Sequence, residues 1–482
     1  MVDPQSAASV EFMPRAIVPI ALFCLAAVLR THNAWVTFPL SGFDGPYHGA
    51  YIGAIHWDGR VQPPHWFSNH PPLYYALTAL LWRVLPADLS AQSTLFALRL
   101  LNVCWGLVLG AAVWSSAKRL FPERAGVSVC ALAIALFLPM HVGPSAQLGN
   151  QIMAAALSAV AVALLLRTLD EPTQRNALLT GVIAGLGMLT KLSVLLVAAA
   201  ASGALLVRGW QRYGLRLEAA RLAVIVGVSA FIVASPYFIH NITTRELPID
   251  PSVDIWADLD RSQGHHGRAW SAYGDFNPEI VRSPGTFDAA AQAAVWPVTF
   301  ASTWFDLFGT QVDVHHPRAQ QMSRWLYGFG AVFTVAAAGG LVLAFRSSRP
   351  RVPCGALALT LLVALNLASY VAFTREVATY SALKGTYLSA AVTSFVVFAA
   401  LGLDRVAASS LILRGAVTLL LASFALTVTL TFWYGGLAPM RVNPADFYLQ
   451  SYSDPPTLRA FRFFNQREPS VQWRPPASIS AE

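Results

Sequence analysis

The residues best suited to chemistry follow the first apolar segment of the chain. Asp44 lies there beside glycine and proline residues, and Tyr47 and His48 come shortly after it. A carboxylate in this position can stay solvated while facing a membrane cavity, and it suits a general base that takes a proton from an acceptor hydroxyl or amine. The same carboxylate could instead cap the helix that we expect to begin near Pro46. The residues alone leave both interpretations open.

A second set of candidates consists of side chains near the ends of apolar segments, where they could bind a phosphate. His70, at the start of an expected interfacial helix, could contact phosphate oxygens through a protonated imidazole and nearby helix N-terminal amides. Lys191 interrupts an apolar run, and ionisable residues inside membrane segments are functional by default. Lys384 and Tyr387 stand one helical turn apart and would share a face. All of these side chains could equally be interfacial anchors. The same two interpretations apply to Arg99, which begins another apolar segment.

The composition indicates which solvent surrounds these residues. The chain has 482 residues, of which 55% are hydrophobic and only 12% charged, and its mean hydropathy is +0.50. Soluble domains carry roughly 25% charged residues, so too few polar groups remain to cover a water-facing surface. The net charge of +8 comes from basic residues at the ends of apolar segments. That placement indicates membrane topology and not a nucleic-acid groove.

The apolar segments predict an all-α integral membrane protein with about eleven transmembrane helices, since some 17–25 apolar residues cross the hydrocarbon core. The segments are about 15–31, 96–117, 126–143, 149–167, 176–190, 192–208, 219–239, 324–346, 353–373, 386–403 and 412–434. A further stretch, Pro71 to Pro86, is short and carries Arg83, so we interpret it as a helix lying at the membrane interface. With that choice, the basic clusters all fall on the cytoplasmic side, as the positive-inside rule requires.

This topology divides the chain into four segments. Residues 1–239 form an N-terminal transmembrane catalytic module, which includes a first extracytoplasmic loop at 32–95; the other segments are a large extracytoplasmic loop at 240–322, C-terminal transmembrane helices at 323–434 and an extracytoplasmic tail at 435–482. We expect short helices packed on the membrane surface in the large loop. The protein would lie in the plasma (inner) membrane, with a cytoplasmic N-terminus and with the active site and C-terminus outside.

Six short motifs follow one another along the chain. They are Asp-x-x-Tyr-His at 44–48, His-Pro-Pro-Leu-Tyr-Tyr at 70–75, Phe-Ala-Leu-Arg-Leu at 96–100, Gly-Leu-Gly-Met-Leu-Thr-Lys at 185–191, Ser-Pro-Tyr-Phe-Ile-His-Asn at 235–241 and Ala-Leu-Lys-Gly-Thr-Tyr-Leu at 382–388. These motifs resemble those of the protein O-mannosyltransferase and lipid A aminoarabinose transferase group, the glycosyltransferase family 39-like members of the C-type membrane glycosyltransferases. Their order and spacing cover most of the chain. The resemblance implies a C-type fold, with the first-loop acidic residue as catalytic base and the basic residue before Pro-Pro-Leu facing the carrier phosphate.

The chain departs from the pattern of this group at several positions. Where the group often has a second acidic residue in the first loop, this chain has Gly45, and where the group has another acidic residue further on, it has Gln147 and Asn150. Where the group has arginine, this chain has His240 before Asn241 and Thr386 before Tyr387. These departures leave the implied fold unchanged. They leave open whether a metal is used and what the acceptor is.

The resulting hypothesis is an inverting glycosyltransferase. A sugar would move from a polyprenyl-phosphate donor to an extracytoplasmic acceptor, which could be a protein, a lipid or a polysaccharide. The roles are catalytic base for Asp44, donor-phosphate binding for His70, Arg99, Lys191, Lys384 and Tyr387, and substrate binding for Tyr47, His48, His240 and Asn241. The alternatives are a transporter or flippase for a lipid-linked glycan, and a non-catalytic partner in glycan assembly. The expected partners are the donor, membrane lipids and the acceptor, with no nucleic acid.

Paired histidines raise the question of a metal site. They lie at 265–266 and at 315–316, the second pair just after Asp313. Adjacent histidines on a loop do not point at one ion unless the backbone turns sharply, and no His-x-x-x-His helix spacing occurs. We therefore expect no cofactor, and the sequence does not indicate a divalent metal.

Overall fold

The computed structural model of the chain is helical, with no strand among the residues that it describes. These are residues 4–37, 42, 44–61, 70–213, 217–245, 267–284, 289–349 and 351–435. The α-helices are α1 (Pro4–Val36), α2 (Gly45–Asp58), α3 (Leu73–Val84), α4 (Ala91–Leu120), α5 (Ala125–Phe137), α6 (Pro139–Val142), α7 (Gln151–Asp170), α8 (Gln174–Met188), α9 (Leu195–Tyr213), α10 (Leu217–Arg245), α11 (Glu279–Arg282), α12 (Ala289–Ala293), α13 (Val295–Trp304), α14 (Pro317–Phe345), α15 (Arg351–Glu376), α16 (Val392–Ala407) and α17 (Leu411–Gly435). Short 3₁₀ helices lie at Pro144–Ala146, Leu192–Val194, Trp270–Tyr273, Tyr380–Ala382 and Gly385–Ala391.

The protein is a multi-pass membrane protein, as the composition predicts. Within the described ranges, 8 helices are long and apolar enough to cross a bilayer. They are Ile17–Val36, Ala91–Leu120, Gln151–Asp170, Leu217–Thr244, Pro317–Phe345, Val352–Glu376, Tyr380–Ala407 and Leu411–Tyr434. The pair Ala125–Phe137 and Pro139–Ala146 would add one further span, bent by 59°. The count of about eleven is therefore not confirmed.

The two remaining predicted spans, 176–190 and 192–208, correspond to shorter helices. Helix α8 has 15 residues and is about 22 Å long at 1.5 Å per residue, whereas the hydrocarbon core is about 30 Å thick. The chain leaves the α-helix after Met188 and passes through Lys191, which is extended, into the 3₁₀ helix Leu192–Val194. The predicted break at Lys191 is confirmed, and it separates α8, which is too short to span, from α9, which has 19 residues.

The expected helix between Pro71 and Pro86 is confirmed as α3. It has 12 residues, about 18 Å, which is too short to cross the hydrocarbon core. It packs on α2, where the rings of Tyr51 and Tyr75 lie 4.2 Å apart. The guanidinium of Arg83 donates hydrogen bonds to the carbonyl oxygens of Ile55 and His56, at 2.8 and 3.0 Å. Arg83 thus supplies a donor to the His56 carbonyl near the end of α2 and a second donor to the Ile55 carbonyl, which also accepts from the N–H of Gly59.

The large loop contributes to the interior of the bundle. Its described part contains short helices, as expected, but α13 does not lie on the surface. Trp304, at the end of α13, is 2% exposed and packs against Phe333 and Phe424. The reason is that α13 is apolar on all sides, and such a helix must be buried. Residues 246–266, 285–288 and the predicted tail from 436 onwards lie outside the described residues.

Candidate active site

One pocket collects side chains from distant parts of the chain. Its walls come from the start of α2, from the segment between α6 and α7, from the end of α13 with the turn that follows it, and from the turn at Lys384. Its polar lining residues are Asp44, His48, Gln147, Gln151, Ser302, Asp306, Thr310, Lys384 and Thr386. Its apolar lining includes Pro139, Met140, Leu148, Phe305, Leu307, Phe308 and Phe432. The pocket therefore combines residues from three of the four segments that we derived from the sequence.

Asp44 faces a cation in this pocket. It occupies the N-cap position of α2, but its carboxylate makes no capping hydrogen bond. Its Oδ2 atom lies 3.8 Å from Nζ of Lys384, and the two side chains are 27% and 14% exposed, respectively. Burial raises the pKa of the Asp44 carboxyl, but Lys384, followed by His48, His70 and Lys191, outweighs burial and holds this pKa below its usual value. The carboxylate is therefore ionised at neutral pH.

Two histidines lie next to Asp44. Nδ1 of His48 is 2.8 Å from the hydroxyl of Tyr75, and the ring of His48 stacks on that of His70 with centroids 5.6 Å apart. Burial lowers the pKa of His48 to about 4 and that of His70 to about 3. The expectation of a protonated imidazole at His70 is not met, because burial and neighbouring cationic groups disfavour the imidazolium.

Lys191 and Tyr387 contact each other beside the pocket. Nζ of Lys191 donates a hydrogen bond to Oε1 of Gln151 at 2.7 Å, and it lies 4.9 Å from the centroid of the Tyr387 ring. That distance is within the range of a cation–π interaction. Since Gln151 lines the pocket, the ammonium of Lys191 is held one hydrogen bond away from the cavity.

Lys384 and Tyr387 do not share a helical face, which corrects the expectation from their spacing. Lys384 has an extended backbone and precedes the 3₁₀ helix Gly385–Ala391. The turn is tight because Gly385 packs directly on Thr303, where a Cβ atom would overlap that residue. The N–H of Gly385 also donates a 2.8 Å hydrogen bond to Oγ of Ser302. These contacts with α13 direct Lys384 towards Asp44, while Tyr387 contacts Lys191.

Asp306 is a pocket residue that the sequence analysis does not identify. Its carboxylate accepts hydrogen bonds from Oγ1 of Thr310 at 2.7 Å and from the N–H groups of Gln311 and Val312 at 2.6 and 2.8 Å. Burial raises its pKa, although these hydrogen bonds oppose the effect. The available signal was the Asp-x-x-Gly pattern ending at Gly309, which is typical of a turn. Asp306 thus holds the turn that forms one wall of the pocket.

The remaining predicted site residues lie away from the pocket lining. Arg99 is 1% exposed, and its Nη1 donates hydrogen bonds to the carbonyl oxygens of Ala34 and Thr37, at 3.1 and 2.8 Å. Arg99 therefore caps the C-terminal end of α1 and is not positioned in the cavity. Tyr47 is buried in α2, and His240 and Asn241 lie near the end of α10. The substrate-binding roles expected for Tyr47, His240 and Asn241 stay predictions.

Metal ligands are not clustered in the part of the chain that the structure describes, which contains no group of three His, Cys, Asp or Glu side chains arranged for an ion. Of the paired histidines, 265–266 lie outside the described residues. His316 caps α14, since its Nδ1 accepts a hydrogen bond from the N–H of Arg318.

Comparison with known proteins bears on the family resemblance and on the fold. The profile of a family described as dolichyl-phosphate-mannose-protein mannosyltransferase matches residues 69–240, about a third of the chain, so the resemblance seen in the motifs is confirmed. ArnT from Cupriavidus metallidurans, in a crystal structure bound to undecaprenyl phosphate, matches with a TM-score of 0.54 and 14% identity, over 87% of this chain and 76% of that one. The fold is that of the C-type membrane glycosyltransferases. No curated protein sequence matches significantly.

Other structures with this C-type fold are larger. The oligosaccharyltransferase of Archaeoglobus fulgidus in its apo form matches with a TM-score of 0.60 and 13% identity, over 97% of this chain and 62% of that one. The archaeal oligosaccharyltransferase AglB from Archaeoglobus fulgidus, in complex with an inhibitory peptide and a dolichol-phosphate, matches with a TM-score of 0.52 and 14% identity, over 98% of this chain and 62% of that one. The chain therefore spans less than two thirds of these proteins, and the likeness concerns the fold.

Proposed function

We propose that this C-type protein is an inverting glycosyltransferase that moves a sugar from a polyprenyl-phosphate donor to an acceptor on the extracytoplasmic side of the plasma membrane. The observation that carries the proposal is the approach of Lys384 to Asp44, 3.8 Å apart in one pocket. When a sugar leaves a phosphate, positive charge develops on the sugar and the attacking nucleophile, and negative charge develops on the phosphate. A carboxylate and an ammonium in the same pocket can act on these two charges. The solved structures with undecaprenyl phosphate and dolichol-phosphate support a lipid-linked donor.

In the proposed reaction, Asp44 takes the proton of the acceptor nucleophile. The nucleophile attacks the anomeric carbon from the face opposite the phosphate, and the bond between that carbon and the phosphate oxygen breaks. The electron pair stays on the phosphate, whose growing negative charge is stabilised by the ammonium of Lys384. Lys191, one hydrogen bond behind Gln151, adds positive potential. Fixed cations in a site with little water stabilise such charge strongly.

The contact between Asp44 and Lys384 also gives a reason why the donor should bind before the acceptor is deprotonated. In the empty pocket, Lys384 lowers the pKa of the Asp44 carboxyl and makes it a weak base. A donor phosphate competes with Asp44 for the ammonium, and as it draws Lys384 away, burial raises the pKa of the carboxyl. Asp44 therefore becomes a better base when the donor is bound, which would limit deprotonation of an acceptor without a donor.

The neutral histidines have a positioning role in this scheme. His48 is held by the hydroxyl of Tyr75 and stacks on His70, so both rings are fixed beside Asp44. A neutral imidazole can donate one hydrogen bond to a phosphate or sugar oxygen without adding a charge. We assign His70 to the donor side on this basis.

The decisive experiment combines purified full-length protein with a panel of polyprenyl-phosphate sugars and follows donor hydrolysis or transfer by mass spectrometry. Asp44→Asn should lower turnover about 10²- to 10⁴-fold, the usual contribution of a general base. The matched control is Asp275→Asn, since Asp275 is an exposed carboxylate outside the pocket. An Asp44→Asn variant that keeps wild-type turnover would contradict the proposal.

The predicted orientation has its own test. A topology reporter fused directly after α1 should show that this end of the helix is extracytoplasmic. A cytosolic result would place Asp44 on the side from which the proposed donor and acceptor are absent, and the proposal would fail.

A further inference from the structure

A second cleft opens on the other side of α13 from the candidate active site. Its volume is about 620 Å³, and its lining includes Val281, Arg282, Phe300, Arg324, Tyr327 and Ala331. Ser302 faces the active-site pocket and Phe300 faces this cleft. Two positions along an α-helix are about 200° apart around its axis, so α13 separates the two cavities.

The cleft lies at the level of a membrane interface. Helix α14 has 29 residues and is about 43 Å long, whereas the hydrocarbon core is about 30 Å thick. Arg324 immediately precedes the apolar run of α14, which has no further charged residue until Arg346. Its neighbour Trp325 is 60% exposed, and exposed tryptophans of membrane helices concentrate at the interface. Arg324 therefore reaches the depth of the lipid headgroups.

Two guanidinium groups at the rim have no carboxylate partner among the residues that the structure describes. Arg282 and Arg324 are both exposed, and neither forms an ion pair with a carboxylate in the described ranges of the chain. Below them, the lining is apolar and aromatic, from Phe300, Tyr327 and Ala331. A Cβ atom added at Gly328, which also lines the cleft, would meet nothing within 4 Å, so the wall is open.

We propose that this cleft binds an anionic phospholipid of the surrounding bilayer. Its phosphate lies between Arg282 and Arg324, because planar guanidinium groups bind phosphate oxygens in pairs. One acyl chain covers Phe300 and Ala331, which the protein leaves accessible, and shields their apolar surface from water. The charge of the headgroup complements the two cations, and the apolar wall beneath them complements the chain.

The bound lipid is not a donor in its reacting position. Helix α13 is buried between the cleft and the active-site pocket, with Val298 and Ala301 fully inaccessible, so a phosphate in the cleft does not reach Lys384. The lipid instead supports the wall between them. Tyr327 packs edge-on against Phe305, with ring centroids 6.2 Å apart, and Phe305 lines the active-site pocket.

Native mass spectrometry of the full-length protein tests this proposal without any sugar transfer. The protein is released from micelles containing phosphatidylglycerol, which is anionic, or phosphatidylcholine, which is zwitterionic, and the retained lipids are counted. The wild type should retain phosphatidylglycerol preferentially. Combined Arg282→Gln and Arg324→Gln substitutions should weaken retention about 25-fold, from about fivefold for each basic residue near a charged membrane surface. Circular dichroism confirms that each variant is folded.

The matched control is Arg318→Gln, because Arg318 is exposed on the same helix but does not line the cleft. It should retain phosphatidylglycerol as the wild type does. Equal retention of the two lipids by the wild type would overturn the proposal, as would unchanged retention by the double variant. Displacement of phosphatidylglycerol from the wild type by polyprenyl phosphate, one for one, would assign the cleft to the carrier and also overturn it.

Discussion

Lys384→Gln removes the cation that the structure places beside the proposed base. The chain has three lysines, Lys118, Lys191 and Lys384, so a matched control exists. Lys118 lies in the last turn of α4, with its ammonium 5.5 Å from the Trp114 ring, and takes no part in the pocket. Glutamine keeps the length and polarity of the side chain approximately and removes only the charge. The substitution should therefore change the electrostatics of the pocket more than its shape.

The size of the effect follows from the 3.8 Å between Nζ of Lys384 and Oδ2 of Asp44. Two unit charges about 4 Å apart interact by about 4 kcal/mol at an effective dielectric constant of about 20. Both side chains are partly exposed, so we discount this by half for screening by water, to about 2 kcal/mol. Because Lys384 stabilises the carboxylate, its removal raises the pKa of Asp44.

The assay is the pH dependence of kcat/KM for the donor, measured well below saturation, because this quantity reports the pKa values of the free enzyme. The acid limb of the profile, where Asp44 becomes protonated, should move to higher pH in Lys384→Gln, because the carboxylate loses the cation that stabilises it. Turnover at neutral pH should fall about 10²-fold, because the leaving phosphate loses a cation. Lys118→Gln should change neither quantity. If Lys384→Gln keeps the wild-type acid limb, Lys384 does not act on Asp44 and the reasoning is refuted.

Three further outcomes are expected. Gly385→Ala should lower turnover at least about tenfold without unfolding, because its Cβ would overlap Thr303 and displace the neighbouring lysine; wild-type turnover would show that the tight turn is unnecessary. Arg99→Met should lower the melting temperature by several degrees, because buried carbonyls at the end of α1 lose their donor, and equal melting by circular dichroism would contradict the capping role. The wild-type kcat/KM, which reports the free enzyme, should be flat between about pH 8 and about pH 5.5, because lowered pKa values keep Asp44 ionised and His48 neutral there; a titration near pH 6.5 would contradict this.

Several site residues were predictable because their signal is local. Asp44 stands out as a carboxylate next to glycine just after the first apolar segment, and Lys191 as a charge inside an apolar run. Arg99 looked similar to Lys191, since both are basic residues near the end of an apolar segment. The structure separates them, because Arg99 binds carbonyls of α1 whereas Lys191 binds the pocket residue Gln151. Helix packing decides which partner such a cation contacts, and the spacing of residues in the sequence does not show that partner.

Local sequence patterns could not give the number of spans or the full pocket lining either, because both depend on how the helices pack. Hydropathy counts the apolar runs at 176–208 as crossings, but the structure ends α8 after 15 residues. Asp306 carries a turn pattern and no catalytic motif, and it becomes a pocket residue only because α13 is inserted into the bundle beside α6.

The sequence by itself determined that the chain crosses a membrane many times and that a carboxylate follows the first span. Both follow from runs of neighbouring residues, because transfer into a bilayer is decided over about 20 consecutive positions. Only the tertiary structure decided that Lys384, from the far end of the chain, lies beside Asp44. That contact is set by the packing of Gly385 against α13, and a packing contact exists only once the helices have assembled.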